Sequence, residues 1–140
     1  MSSHIGIDKL RIHQRQLDMI QNHIQSCIPE EACGFLAGIG TNVIEVIPVT
    51  NELHSPVRFR MEPMEQLAAM ERMEELGYEM LGIYHSHVHG PSGLSETDLA
   101  EAAYPDTAYL VCTPGVEEWE FRAFRVKRGQ VMEIPILLLE

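Results

Sequence analysis

The stretch Leu81-Gly82-Ile83-Tyr84-His85-Ser86-His87-Val88-His89-Gly90-Pro91-Ser92-Gly93-Leu94-Ser95-Glu96-Thr97-Asp98 decides how this chain is read. Its first residues form a short apolar run, like the end of a buried strand. Side chains two apart on a strand share a face, so His85 and His87 aim their rings into one site while Ser86 turns away. A loop rich in Gly, Pro and Ser follows, and a helix is expected to start near Ser95. Asp98 then lies in the first turn and can swing its carboxylate back to the two imidazoles. Two His, one Asp and an open fourth position form the pattern of a catalytic zinc site rather than a structural one. A plainer reading stands beside it. Ser95-Glu96-Thr97-Asp98 also fits a helix capping box, and the histidines then serve only as polar residues at a strand end.

These residues resemble the JAMM (MPN-plus) metallopeptidase motif, His-x-His, ten residues, then Asp, with Ser three places before the Asp. His85, His87, Ser95 and Asp98 all match. The family's upstream segment Pro-x-Glu-x-x-Gly is matched by Pro29-Glu30-Glu31-Ala32-Cys33-Gly34, which puts Glu31 on the catalytic position and turns Glu30 elsewhere. The likeness covers nearly the whole chain. It is to small stand-alone bacterial and archaeal members, several of which process ubiquitin-like sulfur-carrier proteins or cleave cysteine from a carrier's C-terminal glycine, as CysO-cysteine-type peptidases do.

The resemblance implies zinc (Zn2+) held by His85, His87 and Asp98, with Glu31 as general base and Ser95 as oxyanion donor. It implies hydrolysis of a peptide or isopeptide bond after the Gly-Gly tail of a ubiquitin-like or sulfur-carrier protein. Zinc lowers the pKa of bound water toward about 7, and Glu31 would take its proton and hand it to the leaving amine. The chain departs from the family at Val88 and Leu94, where Pro is common; neither supplies a ligand, but loop shape and substrate fit are affected. His89 is extra and reads as an exposed loop residue. Two other functions remain open: a zinc amidase acting on small peptides, and a non-catalytic MPN-type interaction module.

The 140 residues carry a formal net charge of -11, with no basic cluster. Phosphate backbones are bound through Lys and Arg, so nucleic acid is excluded as a partner. No apolar run approaches the roughly 20 residues of a membrane span, and Met1-Ser2-Ser3-His4 does not read as a secretory signal. The expected address is the cytoplasm, where Cys27, Cys33 and Cys112 stay unpaired. A chain this long fits one domain spanning residues 1–140.

The expected fold class is α/β (α+β), of the JAMM/MPN, cytidine-deaminase-like type, a mixed, mainly antiparallel curved sheet with flanking helices. A first helix is expected from Asp8 to about Cys27, with an apolar stripe at Leu10, Leu17, Ile20 and Ile24 and a solvated face carrying His13 and His23. Cys33–Gly38 and Asn42–Val49 read as a hairpin, and Arg58–Met61 as a short edge strand able to add a substrate tail. Pro63 opens a second helix to about Leu76, with Met64, Met70 and Met73 as core packing. Tyr78–Ser86 carries the histidines, and Ser95–Ala103 is the metal-side helix. Tyr109–Cys112, Glu118–Val126 and Val131–Leu138 read as the closing strands.

Overall fold

A computed structural model describes residues 6–139; the Met1–His4 stretch lies outside them. The elements run β1 (Leu10–His13), α1 (Gln14–Cys27), β2 (Cys33–Ile39), β3 (Asn42–Val49), α2 (Pro63–Leu76), β4 (Glu79–Ser86), α3 (Glu96–Glu101), β5 (Ala108–Pro114), β6 (Trp119–Lys127), β7 (Gln130–Ile134) and β8 (Ile136–Leu139). All eight strands join one sheet in the order β7-β6-β5-β4-β2-β3-β1-β8. The ladders β2·β3, β2·β4, β5·β6 and β6·β7 are antiparallel, while β4·β5, β1·β3 and β1·β8 are parallel. The expected mixed α/β class is the one observed.

Three expected elements are corrected. The first helix begins at Gln14, not Asp8. Leu10-Arg11-Ile12-His13 alternates fully buried and half-buried residues, the period of a strand, and Leu10 belongs to β1 rather than to the helical stripe. Gln16 fixes the switch: its side-chain oxygen accepts from His13 N–H at 2.9 Å and its amide donates to Val43 O at 3.1 Å. Val131–Leu138 is not one strand but two, divided at Pro135, whose missing N–H interrupts any ladder. β7 and β8 occupy opposite ends of the sheet order with a single residue between them, so the sheet curls until its two edges meet at that corner. Arg58–Met61 forms no strand; a lone bridge between Asn51 and Met61 closes the loop instead.

Helices cover both faces. Leu17, Ile20 and Ile24 of α1 pack with Leu10, Ile12, Leu36, Tyr84 and Leu110. On the other face Ala69 and Met73 of α2, with Leu99 and Ala102 around α3, pack on Phe35, Ile83 and Tyr109. Met73 is buried and Met70 half-buried as expected of core packing, but Met64 is 70% exposed. Irregular burial along β3 comes from a bulge opposite Ala37–Gly38, where Ile44 drops out of the pairing. His23 is not on a solvated face: its Nδ1 lies 2.7 Å from the Tyr84 hydroxyl, and burial lowers its pKa.

The pairing of β2 with β4 sets Gly34 opposite Tyr84 and Cys33 opposite His85. The Tyr84 ring lies over the Gly34 backbone so closely that an added Cβ would stand 2.4 Å from Tyr84 Cε2 and 2.5 Å from Ile47 O. The glycine of the Glu-x-x-Gly segment is therefore a packing requirement. Gly34→Ala is expected to destabilise the protein by about 1–3 kcal/mol, as overpacked cores do, measured by urea unfolding. An unchanged midpoint would show that the β2–β4 spacing can relax.

Candidate metal centre

His85 is the last residue of β4 to face the α2/α3 side, and His87 lies just past the strand end, its N–H donating to Cys112 O at 2.8 Å so that the strand line continues beside β5. Both rings project on the α2/α3 face. Asp98 reaches them from the first turn of α3. Here the capping box and the candidate ligand group share one carboxylate oxygen. Ser95 Oγ accepts from Asp98 N–H at 3.1 Å, while Ser95 N–H donates to Asp98 Oδ2 at 2.8 Å. That carboxylate oxygen also lies 3.1 Å from His85 Nε2 and 3.0 Å from His87 Nε2, and the two ring nitrogens are 3.1 Å apart.

This triangle fits a divalent metal. Donors at about 2.0–2.2 Å from one tetrahedral ion stand roughly 3.3–3.6 Å apart, little more than observed. His87 Nδ1 lies 2.8 Å from Pro91 O, an acceptor only, so Nδ1 carries the proton and Nε2 of the neutral ring presents a lone pair. A lone pair and a carboxylate oxygen at 3.0 Å repel unless a proton or a cation sits between them. One ion satisfies all three atoms at once. Among the described residues His85 Nδ1 is buried with no hydrogen-bond partner to set that ring's orientation. The Phe59 ring supplies it instead, stacked on His85 at 4.7 Å between centroids and 23° between planes.

The charges follow from burial and mutual contact. Burial pulls the pKa of His85 down. At His87 burial also opposes the charge, but the hydrogen bonds to Asp98 and to Pro91 O outweigh it and hold the pKa above its ordinary value. Burial of Asp98 is overcome by His85, His87 and Ser95 N–H, which keep its carboxyl well below the usual carboxylate range. Glu31, 3% exposed, is pushed up to about 7, by burial first; His87 pulls it down and Asp98 adds to the rise.

Glu31 shares the wall of one cavity, of about 230 Å³, with His87, Ser95, Pro56, Val57 and the exposed His89. His85 and Asp98 wall a second, of about 180 Å³, with Phe59, Met61, Tyr104 and Tyr109. Glu30 turns away as expected, its carboxylate 2.9 Å from His54 Nδ1. Arg58 and Arg60, in the segment expected to add a substrate tail, are engaged by Glu101 and Glu52. Cys33 lies in the core beside the site with its thiol pushed up to about 12, which suits packing and not nucleophilic attack.

Sequence reasoning missed three supports of this centre. Ser86 does turn away from the metal side, but to a purpose: its Oγ accepts from Ala32 N–H at 2.8 Å, and its own N–H donates to Ala32 O at 3.0 Å. Asn51 comes from a polar stretch after β3, and Phe59 from the segment expected to be an edge strand. The one available signal was an Asn just after a strand, which often closes a turn on itself.

A mixed curved sheet that presents two imidazoles at the end of β4 to a carboxylate from α3, in a group that fits a metal ion, defines an α/β domain of the JAB/MPN type. The chain belongs to the family of prokaryotic homologs of the JAB domain, whose pattern matches residues 13–127. It is 38% identical over 121 residues to the CysO-cysteine peptidase of Mycobacterium tuberculosis, covering 84% of this chain and 83% of that protein. It is 34% identical over 109 residues to the desampylase of Pyrococcus furiosus, covering 77% and 76%. The solution structure of a Desulfitobacterium hafniense protein superposes with a TM-score of 0.84 at 33% identity, covering 94% of this chain and 93% of that one.

Glu31 gives a pH test of this geometry in metal-free protein. Its pKa is raised from 4.5 to about 7, so the folded state holds that proton more tightly than the unfolded state. The associated stability is fully present below about 4.5 and is lost as pH rises through about 7. In chelator, the melting temperature of Glu31→Gln should therefore gain on that of the parent as pH is raised from 5 to 8. A constant difference would mean that Glu31 is solvated.

Proposed function

We propose that this protein, folded as a single domain, is a zinc-dependent peptidase that hydrolyses the peptide or isopeptide bond after the Gly-Gly tail of a ubiquitin-like or sulfur-carrier protein. The observation that carries the reading is the convergence of His85 Nε2, His87 Nε2 and Asp98 Oδ2 within about 3 Å of one another, with buried Glu31 in the wall of the same cavity as His87. Relatives named as a CysO-cysteine peptidase and a desampylase support the choice of substrate class. Cavities on two sides of the triad suit an extended chain lying across it, which favours a conjugate over a small amide.

When bound, the ion supplies a Lewis acid for the scissile carbonyl and acidifies its water. The residues do the rest. His85, His87 and Asp98 would hold the ion. Glu31 accepts the proton of the attacking water, its burial keeping its pKa high enough to return that proton to the leaving amine. A cation nearby lowers that pKa, so the carboxylate form is available near neutral pH. Ser95 Oγ uses a lone pair for the helix cap and keeps its O–H to donate to the developing oxyanion. Among the described residues no helix is long and apolar enough to cross a membrane. The free thiols Cys33 and Cys112 support a cytoplasmic site of action, and the charge of -11 argues against nucleic acid as partner.

Elemental mass spectrometry of the purified parent should find about one zinc per chain, and His87→Ala should lose it. No metal in the parent, even after zinc is supplied, ends this reading. With zinc bound, Glu31→Gln should keep the metal and lower kcat on a carrier–peptide conjugate by about 10²–10⁴. Cleavage at the parental rate would remove Glu31 from the mechanism.

A further inference from the structure

The loop between β3 and α2 touches the centre at several points, and one buried side chain organises it. Asn51 is 5% exposed, and its amide fills every hydrogen-bonding position it has. Its nitrogen donates to Glu31 O at 3.0 Å and to Arg58 O at 3.1 Å. Its oxygen accepts from Leu53 N–H and from Arg60 N–H, both at 3.1 Å. The same loop grips Glu31 a second time, because Glu31 N–H donates to Ser55 O at 2.8 Å. Glu31 precedes β2, so no sheet ladder holds its backbone; both of its main-chain polar groups are held by this loop. The loop then carries Phe59 onto the His85 ring. A residue between the two Asn51-bonded positions 58 and 60 thus orients a metal-side histidine, while the same amide fixes the carbonyl of the acid opposite.

We propose that Asn51 is a positioning residue: through the loop Asn51–Met61 it fixes the Glu31 carboxylate relative to the metal triad. This rests on the peptidase reading above, with Glu31 as proton acceptor. Asn51→Asp isolates the role. The shape and the acceptor oxygen for Leu53 and Arg60 are kept, whereas the two donors become an oxygen facing the carbonyls of Glu31 and Arg58.

The experiment is a double-mutant cycle of parent, Asn51→Asp, Glu31→Gln and the double variant, all zinc-loaded, assayed on a Gly-Gly-tailed carrier–peptide conjugate. Zinc content, melting temperature and hydrogen exchange at the Glu31 amide are recorded alongside. Asn51→Asp should keep one zinc per chain. It should lose about tenfold to a hundredfold in kcat, the cost of roughly an ångström of misplacement, with KM changed less than threefold. In the Glu31→Gln background it should cost nothing more, and Glu31 amide exchange should quicken at least tenfold. Equal losses in both backgrounds would overturn the proposal by showing a general structural role. So would parental kcat together with parental exchange. If the parent cleaves no conjugate, the peptidase reading fails by itself, and exchange at Glu31 decides the loop's role: fast exchange in Asn51→Asp upholds it and slow exchange overturns it. Should the aspartate variant not fold, Asn51→Ser, which retains a donor and an acceptor, carries the same cycle.

Discussion

The antiparallel register of β2 against β4 is the constraint on which the centre depends. Gly34 faces Tyr84 and Cys33 faces His85, and Ser86 extends the pairing by two hydrogen bonds to Ala32. A shift of one residue would turn His85 into the α1 side of the core and Tyr84 toward the metal side, because side chains alternate across a strand. Several contacts resist that shift together. The Tyr84 ring lies over a position that tolerates only glycine, and its hydroxyl is tied to His23 on α1. Glu31 is thereby delivered beside the histidines although more than fifty residues separate them in the chain.

The fold was legible where a segment's burial is decided by its immediate neighbours. The β2–β3 hairpin, α2 with Pro63 and Gly77 at its ends, and β4 follow from local spacing and turn chemistry. What escaped is set by distant partners. Leu10 lies at a helical distance from Leu17, so it joined the helical stripe, although Leu10 and Ile12 alternate with Arg11 and His13 as a strand requires. What makes that stretch a strand is a parallel pairing with Ile136–Leu139 near the other end of the chain. The split at Pro135 is of the same kind: a proline in an apolar run marks a break, but not that the chain beyond it crosses to the opposite edge.

The site was more legible than the fold because its chemistry is written in short spacings. His85 and His87 share a strand face, and Ser95 and Asp98 share a helical turn. A helix cap and a candidate ligand set are compatible readings, since one carboxylate oxygen faces Ser95 N–H and both imidazoles. Asn51 and Phe59 were not legible for a physical reason: their roles exist only after the loop has closed. A buried amide with four satisfied bonds looks in sequence like any polar loop residue.

The three candidate ligands are held unequally. His85 and His87 are 1% and 3% exposed, the first on β4 inside the sheet and the second just past its end. Asp98 stands on a six-residue helix with no fully buried side chain, too short to persist without its tertiary contacts. Two of the three candidate ligands are thus set in the core and one on a short helix. Any ion entering or leaving would pass on the Asp98 side, with the carboxylate the first donor to part and the last to arrive. The rate of metal exchange would then be governed by the fraying of α3 and by the Arg58–Glu101 ion pair that ties it to the neighbouring loop, rather than by the strength of the imidazole bonds.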